Sequence, residues 1–465
     1  FYWPDANAMG GRFGAFFATV AMTSMSAASA EEQELEELKT RIAKLEKKVK
    51  KNKSTITEVK IHDAFDNIKF GVDFRNAVDV LNYKDNETGE EADNSSLLTS
   101  RLYLTMAAAP MKGLIFKGKL AIYSTWGAHL YDHSAGLKDW SASSKATDTL
   151  MRVKEAYFVY STKAGEQPVS FSIGRRPSTN GFLANYRENE PEAGSPLAHI
   201  TNMEVNAAMV KMDWSRFVSG AYTKFVYGRA HTGEAEGVYG DNWEKRFPYA
   251  DIDSISEDDN VDFFVAVGDA YNNGQYKLMY QWAHIFNTKG RNLTTDVTKV
   301  GAGTADLFSL GLQVSGLGES DFLFDTTAFI SGAYSYYDAD EGYDLLGSGS
   351  GESQDGGSIW AGIVFPDMIT ENGKIGFEYN YGSKYWTPMT WAEDTAMGSK
   401  VAVRGSAYEA YWNFNLFGIE YLPSQIRYTY AQNDYTPNVN CAGWVDPQAV
   451  DITAQDLRFS VSYRY

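Results

Sequence analysis

The chain has 465 residues, enough for two or three ordinary domains or one large barrel, with 44 % hydrophobic and 14 % aromatic residues, the latter mostly 30 Tyr and 26 Phe. A formal charge of -18 excludes nucleic acid as a partner, since phosphate binding needs a basic surface, and the single cysteine, Cys441, excludes internal disulfides and CxxC metal sites. No apolar run reaches the roughly 18 residues that a spanning helix needs. A membrane form of this chain therefore has to be a β-barrel, the other fold that satisfies every backbone group in lipid.

The N-terminal segment 1–30 reads as a secretory signal peptide. The stretch MGGRFGAFFATVAMTSMSAASA carries Arg12, a short apolar core from Phe13 to Met22, and Ala28-Ser29-Ala30 ahead of Glu31. Residues 1–8 contain no Met, so translation is expected to start at Met9. Segment 31–60 changes character: Leu35, Leu38, Ile42, Leu45, Val49, Asn52, Ile56 and Val59 recur at spacings of three and four. These are the a and d positions of a coiled coil, with acidic residues leading and lysines following as the helix dipole favours. The expectation is a periplasmic coiled coil that assembles several chains, followed by a linker at 61–66.

From about residue 67 the period becomes two. In IKFGVDF, Ile68, Phe70, Val72 and Phe74 oppose Lys69, Asp73 and Arg75; in LFSLGLQVSG, Phe308, Leu310, Leu312 and Val314 oppose Ser309, Gln313 and Ser315. FKGKLAIYSTW and GKIGFEYNYG repeat the pattern, and QDLRFSVSYRY places Leu457, Phe459, Val461, Tyr463 and Tyr465 opposite Arg458, Ser460, Ser462 and Arg464. Sixteen such stretches can be counted, most of them long enough to cross the hydrocarbon when tilted. Their connections alternate strictly between long and short. Short ones include APMKG at 109–113, AGEQP at 164–168, YNNG at 271–274 and PDMITENG at 366–373. Long ones lie near 82–97, 127–149, 174–203, 228–260, 288–305, 337–357, 383–402 and 433–454. That parity predicts an all-β transmembrane barrel over 67–465, about 16 antiparallel strands in up-and-down order.

On the strand count, the loop parity and the aromatic C-terminal strand, the segment 67–465 resembles bacterial outer-membrane porins. More narrowly, FSIGRRPSTNGFLANYRENEPEAGSPLAH is similar to the third-loop region of an uncharacterised porin-like family with an N-terminal coiled coil. The resemblance implies a cell outer-membrane location, lipid contact, and a water-filled channel for passive diffusion of small hydrophilic solutes or ions. A homotrimer is the expected assembly, with a periplasmic partner for the coiled coil as a further possibility. It also implies that the third long loop, 174–203, folds inward as the constriction, carrying Arg175, Arg176, Arg187, Glu188, Glu190 and Glu192. Facing charges across a narrow wet channel select ions by sign. The competing reading is that Arg175 and Arg176 cap the strand or pair with the loop's own glutamates.

The polar wall positions lean basic: Lys69, Arg75, Arg101, Lys117, Lys119, Arg152, Lys154, Lys211, Lys277, Arg427 and Arg458. The loops lean acidic, so selectivity tilts only slightly toward anions. In MRVKEAYFVY, Arg152 and Lys154 facing inward would turn Glu155 to lipid. Asp338, Asp340, Glu341 and Asp344, or Asp251, Asp253, Asp258 and Asp259, offer weak calcium candidates without EF-hand spacing. YGSKYW and AYWNF suit interfacial aromatic girdles. Nothing in the sequence calls for a cofactor. Two other functions compete: a structural anchor gripping a periplasmic partner, and a barrel-based hydrolase. The hydrolase needs a nucleophile–histidine constellation, and none of the six histidines, His133 and His199 among them, sits in a recognisable motif.

Overall fold

A computed structural model describes residues 68–126, 150–190, 193–232, 260–370, 372–437 and 446–465. The expected signal peptide, coiled coil and linker, together with Glu192, His133 and the acidic stretch 251–259, lie outside the described residues.

Sixteen antiparallel strands close into one barrel. They are β1 (Lys69–Asp85), β2 (Glu91–Met111), β3 (Leu114–Thr125), β4 (Leu150–Ala164), β5 (Gln167–Arg176), β6 (Val205–Asp213), β7 (Tyr222–His231) and β8 (Val261–Asn272). The second half comprises β9 (Tyr276–Ile285), β10 (Gly303–Ser315), β11 (Thr327–Ala339), β12 (Gln354–Pro366), β13 (Lys374–Gly382), β14 (Gly405–Asn415), β15 (Pro423–Tyr435) and β16 (Ala449–Arg464). Each strand pairs with its neighbour in sequence, and β16 returns to β1 in a seam running from Asp73↔Arg464 to Asp85↔Ile452.

Alternation decides which way each side chain points. In β16, Leu457, Phe459 and Tyr463 are exposed on the outside, whereas Asp456, Arg458, Ser460 and Ser462 are buried on the lumen side. In β10, Phe308, Leu310 and Leu312 face out and Leu307 and Ser309 face in. The described strands thus present many large apolar side chains on the outside, more than a water-soluble monomer exposes.

Three local departures from the expected strands have physical causes. The predicted loop at 82–97 is a long hairpin: β1 and β2 continue to a tight turn at 86–90, where the Asp85 carboxylate accepts from the backbone N–H groups of Glu87 and Thr88 at 2.9 and 3.1 Å. Both faces of that extension are polar, so it carries no period-two signal. The strand that alternation starts near residue 322 begins instead at Thr327 as β11, after a helical turn, Asp321–Phe324, capped by Ser320, whose hydroxyl accepts from Leu323 N–H. In β4 a β-bulge shifts the register between Lys119↔Glu155 and Leu120↔Val153. The bulge turns Lys154 and Glu155 inward together, so Glu155 pairs with Lys119 at 2.6 Å instead of meeting lipid.

Two long loops fill much of the lumen. Residues 177–204, which contain a short parallel pair of strands (Gly181–Phe182 with Gly194–Leu197) and one helical turn (Ala184–Arg187), place Phe182, Leu183, Leu197 and Ile200 in an apolar core. The opposing inner wall supplies Val265, Val267, Met279, Leu307, Phe329 and Trp360. Residues 383–404 add Trp386 and Val401 to the same core. The space they need is made by the wall: a Cβ at Gly356 would stand 2.3 Å from the Trp386 nitrogen. Trp386 of YGSKYW is therefore a plug residue rather than a member of an aromatic girdle.

Candidate functional site: a septum across the barrel lumen

The two loops are knitted together before they reach the polar half of the lumen. Thr201 and Met389 form an isolated parallel bridge, and Asn202 N–H donates to Met389 C=O at 2.7 Å while Ala392 N–H donates to Asn202 C=O at 2.8 Å. The first loop is fixed to opposite walls. Leu197 N–H donates to Gln281 Oε1 at 2.8 Å on one side, and Gln425 Nε2 donates to Arg187 C=O at 2.6 Å on the other. The second loop is anchored by Lys400, whose Nζ lies 2.6 Å from Glu378 and also pairs with Glu409, and by Arg404, which donates to Trp386 C=O and Thr387 Oγ1.

This scaffold delivers Asp394 to a wall of arginines. Arg75 and Arg101 are direct cross-strand partners on β1 and β2, and Arg427 and Arg458 are partners on β15 and β16. Like charges facing each other across a ladder repel. Here an acidic group stands between them. Arg75 Nη1 donates to Asp394 Oδ1 at 2.9 Å, Arg101 Nη1 to Oδ2 at 2.6 Å, and Arg458 Nη1 to Oδ1 at 3.3 Å. Arg427 Nη2 donates to the Asp394 main-chain oxygen at 3.0 Å. Withdrawal from water alone would raise the Asp394 carboxyl, but Arg101, Arg75, Arg458 and Arg427 outweigh it and hold it well below the usual carboxylate range.

A cavity of about 950 Å³ lies on the long-loop side, lined in part by Tyr103, Tyr123, Arg152, Lys154, Arg175, Lys289, Lys299, Glu204 and Glu393. A much smaller one of about 40 Å³ lies on the short-turn side, lined in part by Arg75, Arg101, Arg427, Arg458, Arg464 and Glu188. Asp394 is the one residue that lines both, and it therefore marks the septum between them. Cationic side chains outnumber carboxylates in either lining.

The expected constriction residues divide. Arg187 is buried and pairs with Glu188 at 2.7 Å and Glu393 at 3.4 Å, so it clamps the loops rather than facing open water. Glu188 lines the lower cavity; burial would raise it, but Arg187 and Arg427 hold it below its ordinary range. Glu190 accepts from Asn180 at 3.1 Å, and burial pushes it up. Arg175 sits in the same row of β5 as the exposed Phe171 and Ile173 and reaches only the upper cavity; Arg176 lies over the Tyr157 ring and bonds Ser172. Neither lines the lower cavity.

Of the wall residues, Lys119 and Lys154 are paired, to Glu155 and Glu204, whereas Arg152 lines the upper cavity and Lys117 is exposed, opposite Tyr157 near the short-turn end. Arg427 and Arg458 belong to the septum. The calcium candidates do not converge: Asp338 accepts from Ser353, Asp344 from Ser348 and Gly349, and no group of metal-binding side chains forms among the described residues. His199 is wholly buried between the Ser331 and Ser358 hydroxyls at 2.8 and 2.9 Å, edge-on to Trp360 and Trp386. Its ring nitrogens are occupied by hydroxyls in a dry core, an arrangement that locks a loop.

Sequence reasoning missed Asp394 altogether. The WAED segment sits in a stretch read as an outer loop, and its only signal was the inward parity of four arginines with no acid assigned to them.

The chain belongs to a protein family described as "Protein of unknown function (DUF3373)", whose profile matches residues 91–462. No curated protein matches the sequence. Solved structures similar to it include the anion-selective porin from Comamonas acidovorans, at 14 % identity and a TM-score of 0.48, covering 86 % of this chain and 100 % of that one. OprB of Pseudomonas putida matches at 13 % identity and a TM-score of 0.47, covering 88 % of this chain and 96 % of the other. OmpT, an outer membrane protein of Vibrio cholerae, matches at 13 % identity and a TM-score of 0.46, covering 86 % and 97 % respectively.

Proposed function

We propose that the protein is an outer-membrane channel through which small hydrophilic solutes or ions diffuse, with a preference for anions. The observation that carries this reading is the position of the Asp394–arginine cluster between two cavities whose charged lining residues are mostly cationic, inside a barrel with an apolar exterior. A closed barrel leaves no unpaired strand edge, so its backbone is satisfied in hydrocarbon and its side chains alone decide what passes. The constriction is proposed to be shared: residues 177–204 contribute Glu188 and the Arg187 clamp, and residues 383–404 contribute Asp394. Fixed positive charge in a confined, low-dielectric bore raises the local concentration of anions. The proposed assembly is a homotrimer, with residues 31–60 as its oligomerisation segment.

Reconstitution of the full chain in planar bilayers tests the reading. Stepwise conductance is expected, with a reversal potential on the anion side across a potassium chloride gradient. Arg101→Gln is expected to move that potential toward cations more than Arg175→Ala does. A correctly folded protein that stays silent would refute the channel.

A further inference from the structure

The septum is a site already occupied by part of the chain. Three guanidinium groups on the wall, those of Arg75, Arg101 and Arg458, donate to one carboxylate carried by a loop, a fourth, Arg427, donates to the main-chain oxygen of the same residue, and the Nε atoms of Arg75, Arg101 and Arg427 remain buried without a hydrogen-bond partner. Wall groups take part of the remaining donor capacity, Asp79 from Arg458, Asp73 from Arg101 at 3.4 Å and Thr99 from Arg75 at 3.3 Å, and the three Nε atoms are in excess of all these acceptors. The arginines are held by the barrel ladder, so the wall is the fixed partner and the side chain is the exchangeable one. The loop does not depend on that carboxylate for its position. Its main chain is held by Arg427 and by Arg458 Nη1, which donates to the Asp394 carbonyl at 2.6 Å, and by the Thr201–Met389 bridge.

Building on the channel reading above, we propose that this arginine cluster is a binding station for small carboxylate solutes, and that Asp394 is a tethered surrogate which such solutes displace as they cross the septum. The planar fork of a guanidinium matches two carboxylate oxygens and discriminates them from a spherical halide. Arg152 on the upper side places further positive charge at that approach, while Lys154 and Arg464 are partnered by Glu204 and Asp73. A dicarboxylate could engage two of the four arginines at once, which a monocarboxylate or chloride cannot.

The test uses the full chain in planar bilayers with malonate as the probe and chloride as the carrier ion. In the wild type, malonate is expected to reduce the chloride current at concentrations where acetate does not. Asp394→Asn removes the internal competitor; the half-blocking malonate concentration should fall about tenfold and the anion-to-cation permeability ratio should rise. An Asp394→Asn channel with unchanged block and unchanged ratio, or with weaker block, overturns the proposal while the channel itself stands. If that variant fails to fold, judged by heat-modifiable gel mobility, Arg101→Gln takes its place: block should weaken about tenfold, and unchanged block overturns the proposal. A wild-type protein without conductance counts against the channel reading instead.

Discussion

Arg187 and Lys400 come from different loops and reach the same wall carboxylate, Glu409, at 3.9 Å and in direct contact respectively. Removing one member of such a buried network strands the others, a loss of about 3–5 kcal/mol in comparable cases. His199 locks the same plug without charge. Burial pushes its imidazole down to about 3 from an ordinary 6.5, so the folded protein keeps it neutral while the unfolded chain takes up a proton. Its contribution is fully present above the unfolded value and is lost as pH falls from about 6.5 toward about 3. A denaturant midpoint measured at pH 7 and pH 4.5 should drop on acidification in the wild type and drop distinctly less in His199→Gln; equal drops would show the ring is not the sensor. Nothing in the sequence around His199 foretold this burial, because its partners Ser331 and Ser358 are distant in the chain and speak only through inward parity.

At the scale of elements, the strands were the legible part. A two-residue period needs no knowledge of what lies across the barrel, and QDLRFSVSYRY announces its two faces by itself. The bulge at Lys154–Glu155 was not legible as such, yet the misfit it resolves was: strict alternation would have put Glu155 in lipid. Neighbouring positions of β16 now allow a paired measurement. Phe459→Arg puts a cation on the outer apolar band and should cost about 2–4 kcal/mol in folding into lipid vesicles, the range for mid-membrane positions. Ser460→Asp puts an ionised group on the lumen side, against the arginine-rich lining of the lower cavity, and is expected to fold with much smaller loss. Equal losses would contradict the assignment of the two faces.

For the molecule as a whole, two opposite charge balances coexist. The chain carries -18 overall, while both cavities along the bore are lined by more cations than carboxylates. Composition reported the first and concealed the second, since the excess acid lies elsewhere. The plug has the same character: the third long loop was expected inside the barrel, but the entry of residues 383–404 depends on Gly356, Lys400 and Arg404 acting together, a three-dimensional fit that no linear pattern encodes. Deleting residues 385–400 should raise single-channel conductance, because it removes the obstruction. A deletion variant with wild-type conductance would place the bottleneck elsewhere.

The seam between β1 and β16 joins residues almost four hundred positions apart, Asp73 to Arg464 among them. No contact that closes the ring can form until the final strand has been delivered, so a nascent chain short of that strand presents two raw ladders with greasy flanks. Such edges invite pairing with any neighbouring polypeptide. Both margins therefore stay open to mispairing until the last hydrogen bonds zip shut.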